Sequence, residues 1–324
     1  MTTELMPVES AVLKPKIPIS LVLGSGGARG YAHIGVIEEL IEQGFEIRSI
    51  AGSSMGALVG GVYAAGKLDT FRDWVLSMAP IDVLKLIDIT ISGGGFIKGN
   101  RIINAVRDQI GDVKIEDLPI SYTAVAVDLD VHREIWFSRG SLFEAIRASI
   151  AIPTIFRPHR YQGRLLVDGG LLNPVPVSPT MRDATAATIA IDVNGAEEPL
   201  NGDQFGPRLD ALDEVTEGDF DRDPKAKPGH ALGRALSAWW AGDNSSDELP
   251  EPSILELFSR SLDTVQETIT RLKLAAQPPD LLITIPRNIC TFYDFHLAES
   301  VIELGRLRTR EALARWTLPN IARH

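Results

Sequence analysis

The chain has 324 residues, 44% of them hydrophobic and 23% charged, with a formal net charge of −11. That length and composition suit one large α/β core carrying an insertion. The acidic balance argues against a nucleic-acid partner and against adsorption to an anionic lipid surface, and the single cysteine, Cys290, excludes an internal disulfide.

Residues 1–16, MTTELMPVESAVLKPK, carry glutamates and no apolar h-region, so they read as a flexible segment and not as a secretion signal. The expected compartment is a reducing cytoplasm. No apolar run approaches the roughly 18 residues needed to span a bilayer. The longest, IDVLKLIDITI at 81–91, is broken by aspartates and a lysine. Any membrane contact is therefore expected to be peripheral, at the inner membrane surface.

The first strand-like run, IPISLVL at 17–23, enters a glycine turn, GSGGARG, and leaves into a helical pattern over 29–43. Consecutive amides of Gly26, Gly27 and Ala28 at a helix N-terminus favour negative charge. Arg29 is placed to fix that turn or to hold a head group. A dinucleotide loop would need its third glycine where Arg29 stands and an acidic residue after the next strand. Here the glycine comes one residue late, at Gly30, and the next strand runs into Gly52 and Ser53. A phosphate loop fits less well, because no Lys-Ser or Lys-Thr follows the glycines.

The second run, IRSIA at 47–51, enters a GxSxG turn made by Gly52, Ser53, Ser54, Met55 and Gly56. Such a strand-to-helix bend holds a serine hydroxyl up at the end of a sheet, within reach of a carbonyl carbon. An ordinary βα turn with a capping serine has the same local pattern. In the helix predicted over 55–65, Gly60 and Gly61 each cost about 1 kcal/mol relative to Ala, which points to close backbone approach.

Further helices are predicted over 69–78, 100–110, 141–149 and 178–184, and further strands over 121–127, 133–137, 164–167, 186–193 and 280–285. The alternation predicts a mostly parallel central sheet covered on both faces. Between 196 and 251 stand 14 Asp or Glu against 5 Lys or Arg, which marks an acidic insertion. Within it, Leu232, Leu236, Trp239 and Trp240 fall near one helical face. They suit a lid over an acyl groove or a lipid contact, and equally a helix docked on the protein body. Two long helical patterns, 253–276 and 294–316, read as C-terminal supports, and the SGGG run at 92–95 reads as a mobile loop.

A serine nucleophile needs a base. None of the six histidines is convincingly placed. His33 lies in the helix after the first turn and reads as a packed residue before it reads as a catalytic one; His132 follows Asp130 in a hairpin-like turn, and His159 sits in RPHR. Asp168 is the better candidate, at the end of RLLV and before Gly169 and Gly170, although Asp-Gly is also a common turn dipeptide. With an ordinary pKa of about 3.9 it would be a weak base at pH 7, so the chemistry requires burial and contact with Ser54. No cluster shows metal-ligand spacing, and no cofactor is implied.

With GSGGARG, GSSMG and DGG in that order, and RASIAIPTIFRP at 147–158 between the last two, the chain resembles the patatin-like phospholipases, most closely the bacterial proteins related to neuropathy target esterase. The likeness covers about residues 17–194 and, more loosely, 252–316. It implies a three-layer α/β/α body forming one catalytic domain over 17–324. It also implies Ser54 as nucleophile, Asp168 as its dyad partner, and the turn from Gly26 to Arg29 as oxyanion hole. The implied substrates are fatty-acyl ester lipids. Where that family's first turn often has another glycine, this chain has Ser25. An acyltransferase or thioesterase using the same serine, and a non-catalytic lipid-binding protein, stand as alternatives.

Overall fold

A computed structural model of the protein describes residues 16–78, 100–153, 156–199, 254–292 and 294–317. The candidate lid residues Leu232, Leu236, Trp239 and Trp240, the glycine run at 92–95 and residues 1–15 lie outside them. The chain divides into two compact units, Met1–Glu198 with Val265–His324, and Pro199–Thr264. In the second unit the described residues are Pro199 and the opening turns of one helix.

The first unit is built on an eight-stranded sheet with helices on both faces, a three-layer α/β/α sandwich. In chain order the strands are β1 (Ile17–Leu23), β2 (Phe45–Ser53), β3 (Ser121–Asp128), β4 (Arg133–Phe137), β5 (His159–Tyr161), β6 (Arg164–Asp168), β7 (Ala187–Gly195) and β8 (Leu281–Pro286). The helices described are α1 (Ala32–Glu42), α2 (Met55–Ala64), α3 (Leu68–Ser77), α4 (Asn100–Ile110), α5 (Leu142–Ser149), α6 (Ile254–Ala276) and α7 (Ala298–Arg315). The path through the sheet is β5-β6-β3-β2-β1-β7-β8, with β4 pairing β3 off that path. Strands β3, β2, β1, β7 and β8 run parallel, whereas β4 and β6 are antiparallel to β3 and β5 is antiparallel to β6.

The parallel strands read as near-continuous apolar runs because both faces are covered: Ile19, Leu21, Val22 and Leu23 of β1 are all buried. Helix α2, MGALVGGVYA, is buried on nearly every side, as expected of a helix apolar all round. The close approach expected of its glycines is found. A Cβ on Gly60 would stand 2.7 Å from Ile50 Cγ2, and one on Gly61 would stand 3.0 Å from Ile146 Cδ1. Helix α5 starts at Ser141, whose hydroxyl caps the Glu144 amide.

Two predicted elements differ. The helix expected over 178–184 is a single 3-10 turn, Ser178–Thr180. Its continuation is pulled into turns in which Thr185 N–H donates to the Asp183 carbonyl and Ala186 N–H to the Pro18 carbonyl, so the chain is feeding β7 where a helix would have to continue. The helix expected over 29–43 is a 3-10 turn, Gly27–Tyr31, followed by α1. The short edge strand β5 has no counterpart among the predicted strands.

Candidate active site

The GxSxG turn has this sequence because the backbone crowds itself. A Cβ on Gly52 would meet the Gly56 carbonyl and, at 2.6 Å, the Ala57 amide; one on Gly56 would run into the Leu23 carbonyl at the end of β1. Between them Ser54 adopts φ 54°, ψ −123° and stands at the N-cap position of α2, with no side-chain hydrogen bond to the helix end. That left-handed φ is costly for a residue with a side chain and persists only where the surroundings enforce it. Here the enforcement is visible: Ser54 N–H donates to Ser149 Oγ at 2.9 Å, and Ser149 Oγ donates onward to the Val125 carbonyl at 2.6 Å. Ser149, at the end of α5, is fully buried.

Register explains how Asp168 reaches Ser54. Val125 of β3 pairs with Ser53 of β2 on one side and Trp136 of β4 on the other; the next residue, Ala126, pairs with Asp168 of β6 and Ile135 of β4. Since β4 holds the same edge at both positions, β2 and β6 share the opposite edge and meet end to end. The Ser54 turn leaves β2 where β6 arrives with its aspartate.

Asp168 is 3% exposed. Its Oδ1 accepts the Gly170 amide at 2.7 Å, and its own N–H donates to the Ala151 carbonyl at 3.0 Å. Burial raises its carboxyl from the ordinary 3.8 to about 7, against the opposing effects of the Ser54 hydroxyl and the Gly170 amide. The hydroxyl is close enough to act on the carboxyl electrostatically, yet Oδ2 is buried without an aligned hydrogen-bond partner.

The other glycine turns close around the pair. A Cβ on Gly169 would stand 2.7 Å from Ser53 Oγ; one on Gly170 would stand 2.7 Å from Ser25 Oγ and 2.9 Å from Gln266 Nε2. The NPVPV segment ties the Asp168 loop to the first turn. Asn173 N–H donates to the Gly169 carbonyl, the Pro174 carbonyl accepts Ser25 N–H, and Asn173 Nδ2 donates to Glu134 Oε2.

In the first turn, Gly26 and Gly27 keep amides that donate to no backbone or side-chain acceptor among the described residues. Gly27 has φ +57°, and a Cβ there would collide with Phe292. The third expected donor is different: Ala28 N–H already donates to the Phe292 carbonyl at 3.0 Å. The reason is a distant segment, 287–292, which lies over the turn and which local spacing could not reveal. Arg29 is buried, and its charge acts on Asp192 and Cys290.

His33 is also buried. Its Nε2 donates to the Gly24 carbonyl at 2.8 Å, and burial lowers its pKa from 6.5 to about 4. A neutral imidazole committed to a backbone carbonyl is a brace and not a base. His159 pairs with Glu144 at 2.8 Å, and His132 sits at φ 55° in the β3–β4 turn. Among the described residues no group of His, Cys, Asp and Glu could hold a metal ion.

The patatin-like phospholipase family model matches residues 21–181. An uncharacterized NTE family protein of Mycobacterium tuberculosis is 41% identical over 334 aligned positions, covering 91% of each chain. This chain belongs to the patatin-like, NTE-related family. A second NTE family protein of M. tuberculosis is 29% identical over 91% of this chain and 46% of its own length. Lysophospholipase NTE1 of Cryptococcus neoformans is 28% identical over 92% of this chain, which corresponds to 17% of that much longer protein. The crystal structure of VipD from Legionella pneumophila superposes with a TM-score of 0.44 at 15% identity, over 93% of this chain and 67% of its own, a likeness too slight to bear on function. Membership in the patatin-like family places the chain among lipid hydrolases.

Proposed function

We propose that this protein is a serine lipid acyl hydrolase cleaving fatty-acyl esters of phospholipids, lysophospholipids or glycerides through a Ser54–Asp168 dyad. The observation that carries this reading is the contact of a hydroxyl on an enforced left-handed elbow with a buried carboxyl whose pKa is raised to about 7. A group poised near neutrality is suited to accept a proton in one step and return it in the next.

In the first step Ser54 Oγ attacks the ester carbonyl while its proton passes to Asp168. Negative charge collects on the carbonyl oxygen and is met by the Gly26 and Gly27 amides. Collapse of the tetrahedral intermediate breaks the bond to the alcohol, which leaves with the proton from Asp168, and the acyl group remains on Ser54. Water then attacks the acyl-enzyme, gives a proton to Asp168, and the fatty acid departs as Ser54 Oγ recovers that proton. An alkoxide leaving group suits this acid better than an amide nitrogen. Peripheral contact with a lipid surface would supply the substrate.

The test is labelling with a fluorophosphonate together with hydrolysis of a p-nitrophenyl ester and a lipid panel. Ser54→Ala should lose both label and turnover. Ser53→Ala should keep both, since the Ser53 hydroxyl is buried and already without a partner. Full labelling of Ser54→Ala would overturn the assignment. Labelling without release of free fatty acid, unless an acceptor alcohol is added, would identify a transferase.

A further inference from the structure

The first glycine turn is held by a side chain 169 positions away in sequence. Asn194 Nδ2 donates to the Ser25 carbonyl at 2.7 Å. The Ser25–Gly26 peptide is planar and trans, so its N–H points opposite to its C=O. Fixing the Ser25 carbonyl therefore fixes the direction of the Gly26 amide.

Sheet order says where that amide points. β1 lies between β2 and β7, with Leu23 paired to Gly52 on one side and to Ile191 on the other. Two residues beyond Leu23, the Ser25 carbonyl turns toward the β7 flank, where Asn194 stands. The Gly26 amide, opposite in direction, points away from the β7 flank; β2, with Ser54 two residues beyond Gly52, lies on the other side of β1 from β7. Asn194 is itself held: its N–H donates to Asp192 Oδ1 at 2.9 Å, in the irregular stretch of β7 between Asp192 and Gly195. Val193 beside it fills the space that a Cβ on Gly26 would need. On the preceding peptide His33 does the same service for the Gly24 carbonyl.

We infer that Asn194 is a positioning residue of the oxyanion hole, aiming the Gly26 amide at the oxygen of the tetrahedral intermediate without touching substrate. This rests on the hydrolase reading and adds to it a residue outside the three glycine motifs. Without the clamp, the Ser25–Gly26 peptide can rotate and present a carbonyl where a donor is needed. An amide that acts on the transition state more than on the ground state affects kcat more than KM.

The test compares wild type with Asn194→Ala, which deletes the donor, and Asn194→Asp, which keeps the shape and sets an acceptor against the Ser25 carbonyl. On a p-nitrophenyl ester, kcat should fall about 10- to 100-fold, less than the roughly 10²- to 10³-fold expected for losing a hole donor outright. KM should stay within about twofold on the same argument. Affinity for a fatty-acyl trifluoromethyl ketone, which forms the tetrahedral adduct, should fall by the same factor as kcat, while product fatty acid binds as before. A purely structural role would lower the melting temperature and affect ketone and fatty acid alike.

Unchanged kcat and ketone affinity in a folded variant would overturn the inference. Should both variants fail to fold, the amide resonance of Gly26 in wild type decides: it should move downfield when the ketone binds, and an unmoved resonance overturns the inference. If wild type neither binds the ketone nor labels at Ser54, the hydrolase reading itself has failed, and the inference with it.

Discussion

A carboxyl group enclosed beside one hydroxyl and one amide is an unstable thing to bury. Between the ordinary carboxylate pKa of 3.8 and the folded value of about 7, the unfolded chain has released the Asp168 proton while the folded protein still holds it. Stability therefore falls as pH rises through that window, and above it the full cost, about 4 kcal/mol, is present. Asp168→Asn should abolish turnover and stabilise the fold, with a gain that is absent near pH 4, grows toward pH 7 and then levels off. Urea unfolding at several pH values measures this. A variant no more stable than wild type at pH 8 would contradict the assigned burial. In wild type, kcat/KM should rise with pH through about 7, because the proposed mechanism requires Asp168 ionised in the free enzyme. Ser149 belongs to the same scale. One hydroxyl accepts from the Ser54 amide and donates to β3, and nothing in RASIA shows that locally.

At the scale of elements, strands β2 and β6 meet on one edge of β3 beside the site, and helices α1 and α7 cross each other and pack against the turn after β1. That crossing is made by two glycines. A Cβ on Gly35 would run into the Ile302 carbonyl and stand 2.9 Å from its carbon; one on Gly305 would run into the Ala32 carbonyl. Neither obstacle is a flexible side chain, so the helices must separate to admit a methyl group. Gly35→Ala and Gly305→Ala should each destabilise by about 2–3 kcal/mol, the usual cost of overpacking a rigid contact. The double variant should cost less than the sum, because one separation relieves both clashes. Chemical denaturation of the three variants checks this, and strict additivity would show that the crossing does not move as a unit. Pro179 and the turns after it illustrate the opposite case, where tertiary bonds to β1 and β2 prevent a predicted helix from forming.

For the whole molecule, charge is the property that matters to a lipid substrate. The net −11 opposes approach to anionic bilayers, and no described helix is long and apolar enough to cross a membrane. Association with phosphatidylcholine vesicles should exceed association with phosphatidylserine-rich vesicles at low salt, and the difference should shrink as salt screens the repulsion within a Debye length of about 8 Å at 0.15 M. Flotation of the protein with the two vesicle types measures it. Preferential binding to the anionic vesicles at low salt would show that a local basic surface outweighs the net charge.

The sequence by itself determined the seven longer strands, the βα alternation and the glycine turns, because these follow from local apolar runs and from backbone that admits no Cβ. It also marked Ser54 and Asp168, since both stand at strand ends beside such turns. Only the tertiary structure decided that β2 and β6 share an edge of β3, that Phe292 takes the Ala28 amide, and that Ser149 and Asn194 bond to the Ser54 amide and the Ser25 carbonyl. Those are contacts between residues tens to hundreds of positions apart, and local pattern carries no record of which distant groups packing will bring together.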